Sequence, residues 1–322
     1  MNPYLFAVGT PRSGTTVLQR LLDAHPQLCV AFETHWIPYM YRHRRGVAED
    51  GTVGMDFLEV LSENHRFTRL ELDPRDVRAL FEPSGRVSYS AFTSGLFDLY
   101  GARKGKRLVG EKTPHYCRDI PTLSALWPAA RFIHIIRDGR DVALSLMNWE
   151  GVETRTMGPY PTWRHDRVGT CAAFWDWHVR LGREDGSALG PDRYIEVRYG
   201  DLVADPEAEC KRLCQFLAVP YDDSMLRFHE GRRRNKPGLS AKRAWAPVTA
   251  GLRDWRTEMP EDDVARFEAV AGDLLDELGY VRNSSTASAS DVARFREAFV
   301  PPGKTFRRPR GWAVGVTAEA SG

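Results

Sequence analysis

Tyr4-Leu-Phe-Ala-Val-Gly-Thr-Pro-Arg-Ser-Gly-Thr-Thr16 is the stretch on which the reading of the whole chain turns. Tyr4 to Val8 is a short apolar run of strand-forming residues, ended by Gly9. From Thr16 to Ala24 the apolar residues Val17, Leu18, Leu21 and Leu22 recur at helical spacing. The opening therefore predicts strand, glycine-bearing loop, helix. Gly9 and Gly14 stand at the spacing of the phosphate loop G-x-x-x-x-G-K-[ST], but Thr15 occupies the lysine position. Anion binding survives that loss, because backbone N–H groups at a helix start point outward and the helix dipole favours negative charge there. Ser13, Thr15 and Thr16 add hydroxyl donors, and Arg12 supplies a cation from inside the loop. A glycine turn that merely permits close packing is the plainer alternative. It leaves the arginine and the three hydroxyls unexplained.

Working outward, Arg131 to Ile136 (RFIHII) and Tyr194 to Val197 (YIEV) read as further strands, each followed by a helical stretch. Strands separated by helices predict an α/β fold of the P-loop type. It has three layers, a central parallel sheet flanked by helices, with helix-rich insertions near residues 37–105 and 150–190. The RFIHII strand runs into Arg137 rather than an aspartate, so the usual acidic holder of Mg²⁺ is missing. That argues against a small-molecule kinase using ATP, and no metal is expected. Arg137 at a strand's carboxyl end and Ser145, eight residues on, suggest a second phosphate clamp. Trp149, Trp163, Phe174, Trp175 and Trp177 crowd one insertion, where packing into a core is the default and an acceptor pocket the alternative.

Bulk properties narrow the class. The 322 residues include 42% hydrophobic and 27% charged side chains, as in ordinary folded proteins, and the net charge of +2 is too small for a nucleic-acid partner. Five cysteines without metal-type spacing read as reduced core thiols. Neither a signal-like N-terminus nor an apolar run of about 18 residues occurs, so a cytoplasmic protein without a membrane span is expected. Residues 1–282 are read as the catalytic domain and 283–322 as a flexible linker with a basic tail. Helical surfaces of this kind would permit a homodimer.

Eight segments in order carry a family resemblance: GTPRSGTT (9–16), LDAHP (22–26), ETHWIP (33–38), EKTP (111–114), RDGRDVALS (137–145), VRYGDL (197–202), KPG (236–238) and LRDW (252–255). Together they resemble the sulfotransferases, most closely the protein-tyrosine sulfotransferases and their bacterial relatives. The resemblance implies a donor, 3′-phosphoadenosine 5′-phosphosulfate (PAPS), whose 5′-phosphosulfate is held by Arg12, Ser13, Gly14, Thr15 and Thr16. Arg137 and Ser145 would hold its 3′-phosphate, with Tyr199 near the adenosine.

The same resemblance implies Glu33 as general base and Lys112, helped by Arg12, as the stabiliser of the leaving phosphate oxygen. His115 is the rival base, since steroid and phenol sulfotransferases use a histidine shortly after a comparable lysine. Departures from the tyrosine-sulfating pattern are Phe32 in place of an acidic residue, Trp149 in place of a basic one, and Asp254 in place of a lysine. Arg243, Arg253 or Arg256 would compensate. These departures favour a phenol, sugar or natural-product hydroxyl as acceptor and leave a peptide tyrosine the weaker candidate. A non-catalytic nucleotide-binding protein is the remaining alternative, disfavoured because Glu33 and Lys112 are both retained.

Overall fold

A computed structural model describes residues 3–81, 85–230, 247–248, 254–283, 287–301, 307–310 and 312. KPG, Arg243 and Arg253 lie outside them. Seven strands occur among the described residues: β1 (Leu5–Gly9), β2 (Leu28–Ala31), β3 (Thr52–Gly54), β4 (Arg86–Ser88), β5 (Leu108–Lys112), β6 (Arg131–Ile136) and β7 (Tyr194–Arg198). Five build one sheet in the order β2-β5-β1-β6-β7, with every neighbour parallel. The two others, β3 and β4, pair as a small antiparallel ribbon within the first insertion.

The sheet follows from its strand sequences. All five residues of β1 are buried, as expected where helices cover both faces. Alternation then sorts the side chains. Phe6 and Val8 join one core layer with Phe97, Trp127 and Phe132, while Leu5 and Ala7 join the other with Leu18, Leu21, Leu22, Ile133 and Ile135. The stripe predicted on the first helix (Thr15–Ala24) is the face that closes this second layer. β2 and β5 went unread in the sequence because each is short, and LVGEK ends in two charged residues.

Parallel registration brings five carboxyl ends to one edge. Gly9 lies beside Ile135 and Ala7 beside Lys112; Ala31 is level with Glu111 and Ile136 with Arg198. β1 is the switch point, since the chain leaves it towards β2 and later returns past it to reach β6, and ligands of open α/β sheets bind there. Gly9 has no room for a side chain: a Cβ would sit 2.5 Å from the Ile135 carbonyl oxygen.

The crowded aromatics of the second insertion are mainly core. Trp163, Phe174, Trp175 and Trp177 are buried around the long helix Arg167–Ser187. The described residues among 287–301, 307–310 and 312 pack there too, in the stretch read as linker and basic tail. Its helix Ala289–Phe299 stacks Phe299 on Tyr160 at 4.4 Å, Trp312 is buried against Asp176, and Arg307 pairs with Asp185. Arg307 opposite a helix carboxylate favours this packing. All five cysteines are buried and free. No helix among the described residues is long and apolar enough to cross a membrane.

Arg140 pins the helix after β6 to the C-terminal part of the fold. It is fully buried, donates to Glu268 at 2.6 Å and Asp138 at 2.7 Å, and lies 3.6 Å over the Trp255 ring. Breaking a buried charged pair costs up to about 3–5 kcal/mol, here from the lost Glu268 contact of an arginine that keeps Asp138. Glu268→Ala should lower unfolding stability by about that amount in urea titrations, and the double variant Arg140→Met/Glu268→Leu should recover most of it.

Candidate active site

The loop between β1 and the first helix is a tight turn whose helix start is left open. Gly14 caps the helix at φ 94° without any side-chain hydrogen bond, and the first turn carries no acidic residue. Arg12 also sits at positive φ, 78°, a conformation costing an L-residue about 1–2 kcal/mol. Ser13 N–H donates to the Thr10 carbonyl at 3.1 Å and closes the turn. The Thr10 and Ser13 hydroxyls are buried without a hydrogen-bond partner. Buried polar atoms are seldom left this way unless a ligand or water completes them. A Cβ on Gly14 would fall 2.4 Å from the Tyr199 ring, so glycine is what lets that aromatic close over the loop.

The helix Gly139–Met147 supplies the neighbouring half. Ser145 Oγ accepts from Arg12 Nε at 2.9 Å, so the two segments read as separate clamps are in direct contact. Ser145 thus faces the Arg12 loop, where the sequence had grouped it with Arg137. Arg137 is buried, stacks at 4.5 Å on Tyr199, and donates to Asp141 at 3.2 Å and 3.3 Å. Burial pushes the Asp141 carboxyl up, against the pull of Arg137. Trp175 holds the Arg137 carbonyl at 3.0 Å, and Asp141 also accepts from the Trp255 N–H at 3.0 Å. Asp138 caps this helix through the Arg140 N–H at 2.9 Å. Trp149, from the aromatic insertion, stands 5.8 Å from the Arg12 guanidinium.

Lys112 ends β5 and Glu33 follows β2, so adjacent strands deliver a lysine and a carboxylate to one spot. Lys112, nearly fully buried, donates to Glu33 Oε1 at 2.6 Å. His35 Nε2 is 3.0 Å and Arg66 Nη1 3.6 Å from Glu33 Oε2. Burial opposes the charge on Glu33, but Lys112 and His35 outweigh it and hold the carboxyl well below the usual carboxylate range. Glu33 is thus held ionised, and its partner Lys112 is in register with Ala7 of the strand that leads into the Arg12 loop.

The rival histidine is placed in a defined chemical form. Burial, with Arg118 close by, holds His115 well below its ordinary pKa, and burial does the same to His178. The Phe174 carbonyl accepts from His178 Nδ1 at 2.7 Å, so in the neutral pair His178 Nε2 accepts from His115 Nδ1 at 3.1 Å. That leaves His115 Nε2 with a lone pair. The His115 ring lies 5.7 Å from that of His35, which touches Glu33.

Sequence reasoning missed His35, Arg66, His178 and Glu111. Glu111 is fully buried next to Lys112 and accepts from the Thr34 N–H. Its signal was a glutamate inside an otherwise apolar strand-like run, legible only once LVGEK is read as β5. Among the described residues no group of three His, Cys, Asp or Glu side chains is arranged to hold a metal.

Known proteins similar to this chain share one family name. Protein-tyrosine sulfotransferase A of Caenorhabditis elegans is 26% identical over 88% of this chain and 69% of its own length. The Drosophila melanogaster protein-tyrosine sulfotransferase is 27% identical over 86% of this chain, which spans only 52% of that protein. Human protein-tyrosine sulfotransferase 1 is 26% identical over 86% of this chain and 70% of its own length. Among solved structures, the sulfotransferase domain from the curacin biosynthetic pathway shares the fold, with a TM-score of 0.59 at 22% identity over 88% of this chain and 99% of that domain. The sulfotransferase family pattern matches residues 3–223, well over half the chain, and the protein is therefore a member of the sulfotransferase family.

Proposed function

We propose that the chain moves a sulfuryl group from PAPS to an acceptor hydroxyl, with Glu33 as general base. The observation that carries this reading is the Lys112–Glu33 contact of 2.6 Å, with Lys112 in register with Ala7 of the strand that leads into the Arg12 loop. Arg12, Ser13, Gly14, Thr15 and Thr16 hold the 5′-phosphosulfate through backbone N–H groups, hydroxyls and one guanidinium. The partnerless Thr10 and Ser13 hydroxyls support occupation of this cradle by an anion. Arg137, with Ser145 and Tyr199, takes the 3′-phosphate and adenosine side. Contact between Arg12 and Ser145 supports a single nucleotide bridging both halves.

In the transfer, the acceptor oxygen forms its bond to sulfur as the sulfur–oxygen bond to the leaving phosphate breaks. Glu33 accepts the hydroxyl proton, and Lys112 turns from Glu33 to the departing oxygen, where negative charge develops. Without Lys112 as its partner the Glu33 carboxylate becomes more basic, so the same movement that stabilises the leaving group activates the base. No metal enters this scheme. The absent phosphate-loop lysine continues to weigh against an ATP-dependent kinase, and the joint retention of Glu33 and Lys112 against a non-catalytic binder.

The acceptor reading changes with the comparisons. The relatives' names act against ranking a peptide tyrosine below other acceptors, and Phe32, 55% exposed beside Glu33, favours an aromatic group. A tyrosine phenol joins small-molecule and glycan hydroxyls as an acceptor of first choice. Five buried free thiols support a reducing compartment such as the cytoplasm. One specific observation favours a second base: the His115 lone pair near His35.

Glu33→Gln should lower kcat by about 10²–10⁴-fold while donor affinity, read by calorimetry with the desulfated donor product, stays within about twofold. His115→Phe showing that loss, with Glu33→Gln active, would transfer the base role to His115. Arg137→Ala should weaken the 3′-phosphorylated nucleotide by about 10–10²-fold and leave a nucleotide without that phosphate unaffected. Lys112→Met removes the cation that lowers Glu33. The residual activity, lost where Glu33 is protonated, should therefore fail at higher pH than in the wild type, as read from the acid limb of kcat/KM.

A further inference from the structure

Two consecutive residues of β5 grip two consecutive residues of the loop after β2. Lys112 reaches Glu33 at 2.6 Å, and on the opposite face of the strand Glu111 Oε2 accepts from the Thr34 N–H at 3.1 Å. Thr113 Oγ1 donates to the same Glu111 oxygen at 3.0 Å and lies 3.1 Å from the Thr34 nitrogen. Thr34 Oγ1 pairs with the Tyr116 hydroxyl at 2.8 Å, which also accepts from the Ile37 N–H at 3.1 Å. Tyr89 donates to the Ile37 carbonyl at 2.8 Å. Between these anchors His35 is held at φ 57°, a left-handed conformation that a non-glycine residue adopts only when its surroundings impose it.

We infer that Glu111 is a positioning residue for the reaction, fixing the Glu33–Thr34–His35 turn so that the Glu33 carboxylate meets Lys112 at the mouth of the anion cradle. The inference rests on the reading of Glu33 as the base. Packing does not account for a carboxyl at this position. Glu111 is 0% exposed and its second oxygen, Oε1, has no hydrogen-bond partner, so an apolar side chain would fill the site without desolvating a carboxyl group. Burial pushes its pKa up to about 7, against the hydrogen bonds of Thr34 and Thr113 and the charge of Lys112. What the carboxyl supplies is an acceptor aimed at one backbone N–H next to the base. Loss of that acceptor lets the turn relax from the His35 conformation and carries Glu33 away from the acceptor hydroxyl. The donor cradle, built on a different loop, is left in place.

The test is steady-state kinetics with calorimetry of the desulfated donor product on Glu111→Leu, Glu111→Gln and Thr113→Val. Glu111→Leu should lower kcat by about 10–10²-fold with donor affinity within about twofold, because a displacement near 1 Å is enough to lose that much rate. Glu111→Gln keeps an oxygen for the Thr34 N–H and should recover kcat to within about threefold of the wild type. Thr113→Val removes only a hydroxyl from the clamp and should lower kcat about 3–10-fold. It also carries the test if Glu111→Leu does not fold. Glu111→Leu or Thr113→Val at full kcat, or a matching loss of donor affinity, overturns the inference. Glu33→Gln separates the two readings: if it is inactive while folded Glu111→Leu is fully active, only the Glu111 role fails; if it is active, the base assignment fails first.

Discussion

Every contact at the site depends on β1 lying in parallel register between β5 and β6. That register places Gly9 against Ile135 and Ala7 against Lys112, so the strands end together and the residues just beyond them converge. A Cβ at Gly9 would intrude on the Ile135 carbonyl, which would disturb the pairing on the side that leads to Arg137. The anion loop, Lys112, Arg137 and Tyr199 lie far apart along the chain. They meet because a parallel sheet sends all its carboxyl ends one way.

Convergence of cations has an electrostatic cost, which the chain meets with internal partners. Arg12 touches Ser145, Arg137 touches Asp141, and Lys112 touches Glu33. Each partner is weaker than, or replaceable by, a phosphate or sulfate oxygen, since charge-assisted and bidentate bonds to such anions are the stronger ones. In the proposed reaction the same three contacts are exchanged for contacts to the donor. The Lys112 exchange differs in kind from the others, because it frees a carboxylate.

Rigidity comes from outside the sheet. The Arg140–Glu268 pair and the Trp255 ring fix the helix that carries Asp141 and Ser145, and Phe299 and Trp312 pack around the long helix that carries His178. Residues far from the chemistry thus hold the walls of the site. The aromatic insertion belongs to this supporting layer, and its Trp149 reaches Arg12.

The sequence by itself determined the strand–loop–helix opening, the parallel α/β class and which side chains stand at the ends of its strands. Each of these is local: apolar periodicity, glycine spacing and residue chemistry lie within short windows around Gly9–Thr16 and Arg131–Ser145. Only the tertiary structure decided partnership. Ser145 turned out to face Arg12, the basic tail to dock on helix carboxylates, and Glu111 to hold the turn that carries Glu33. The physical reason is that a hydrogen-bond partner is chosen by position in space, and the strands that set that position here, four-residue β2 and β5 with its two charged end residues, do not announce themselves along the chain.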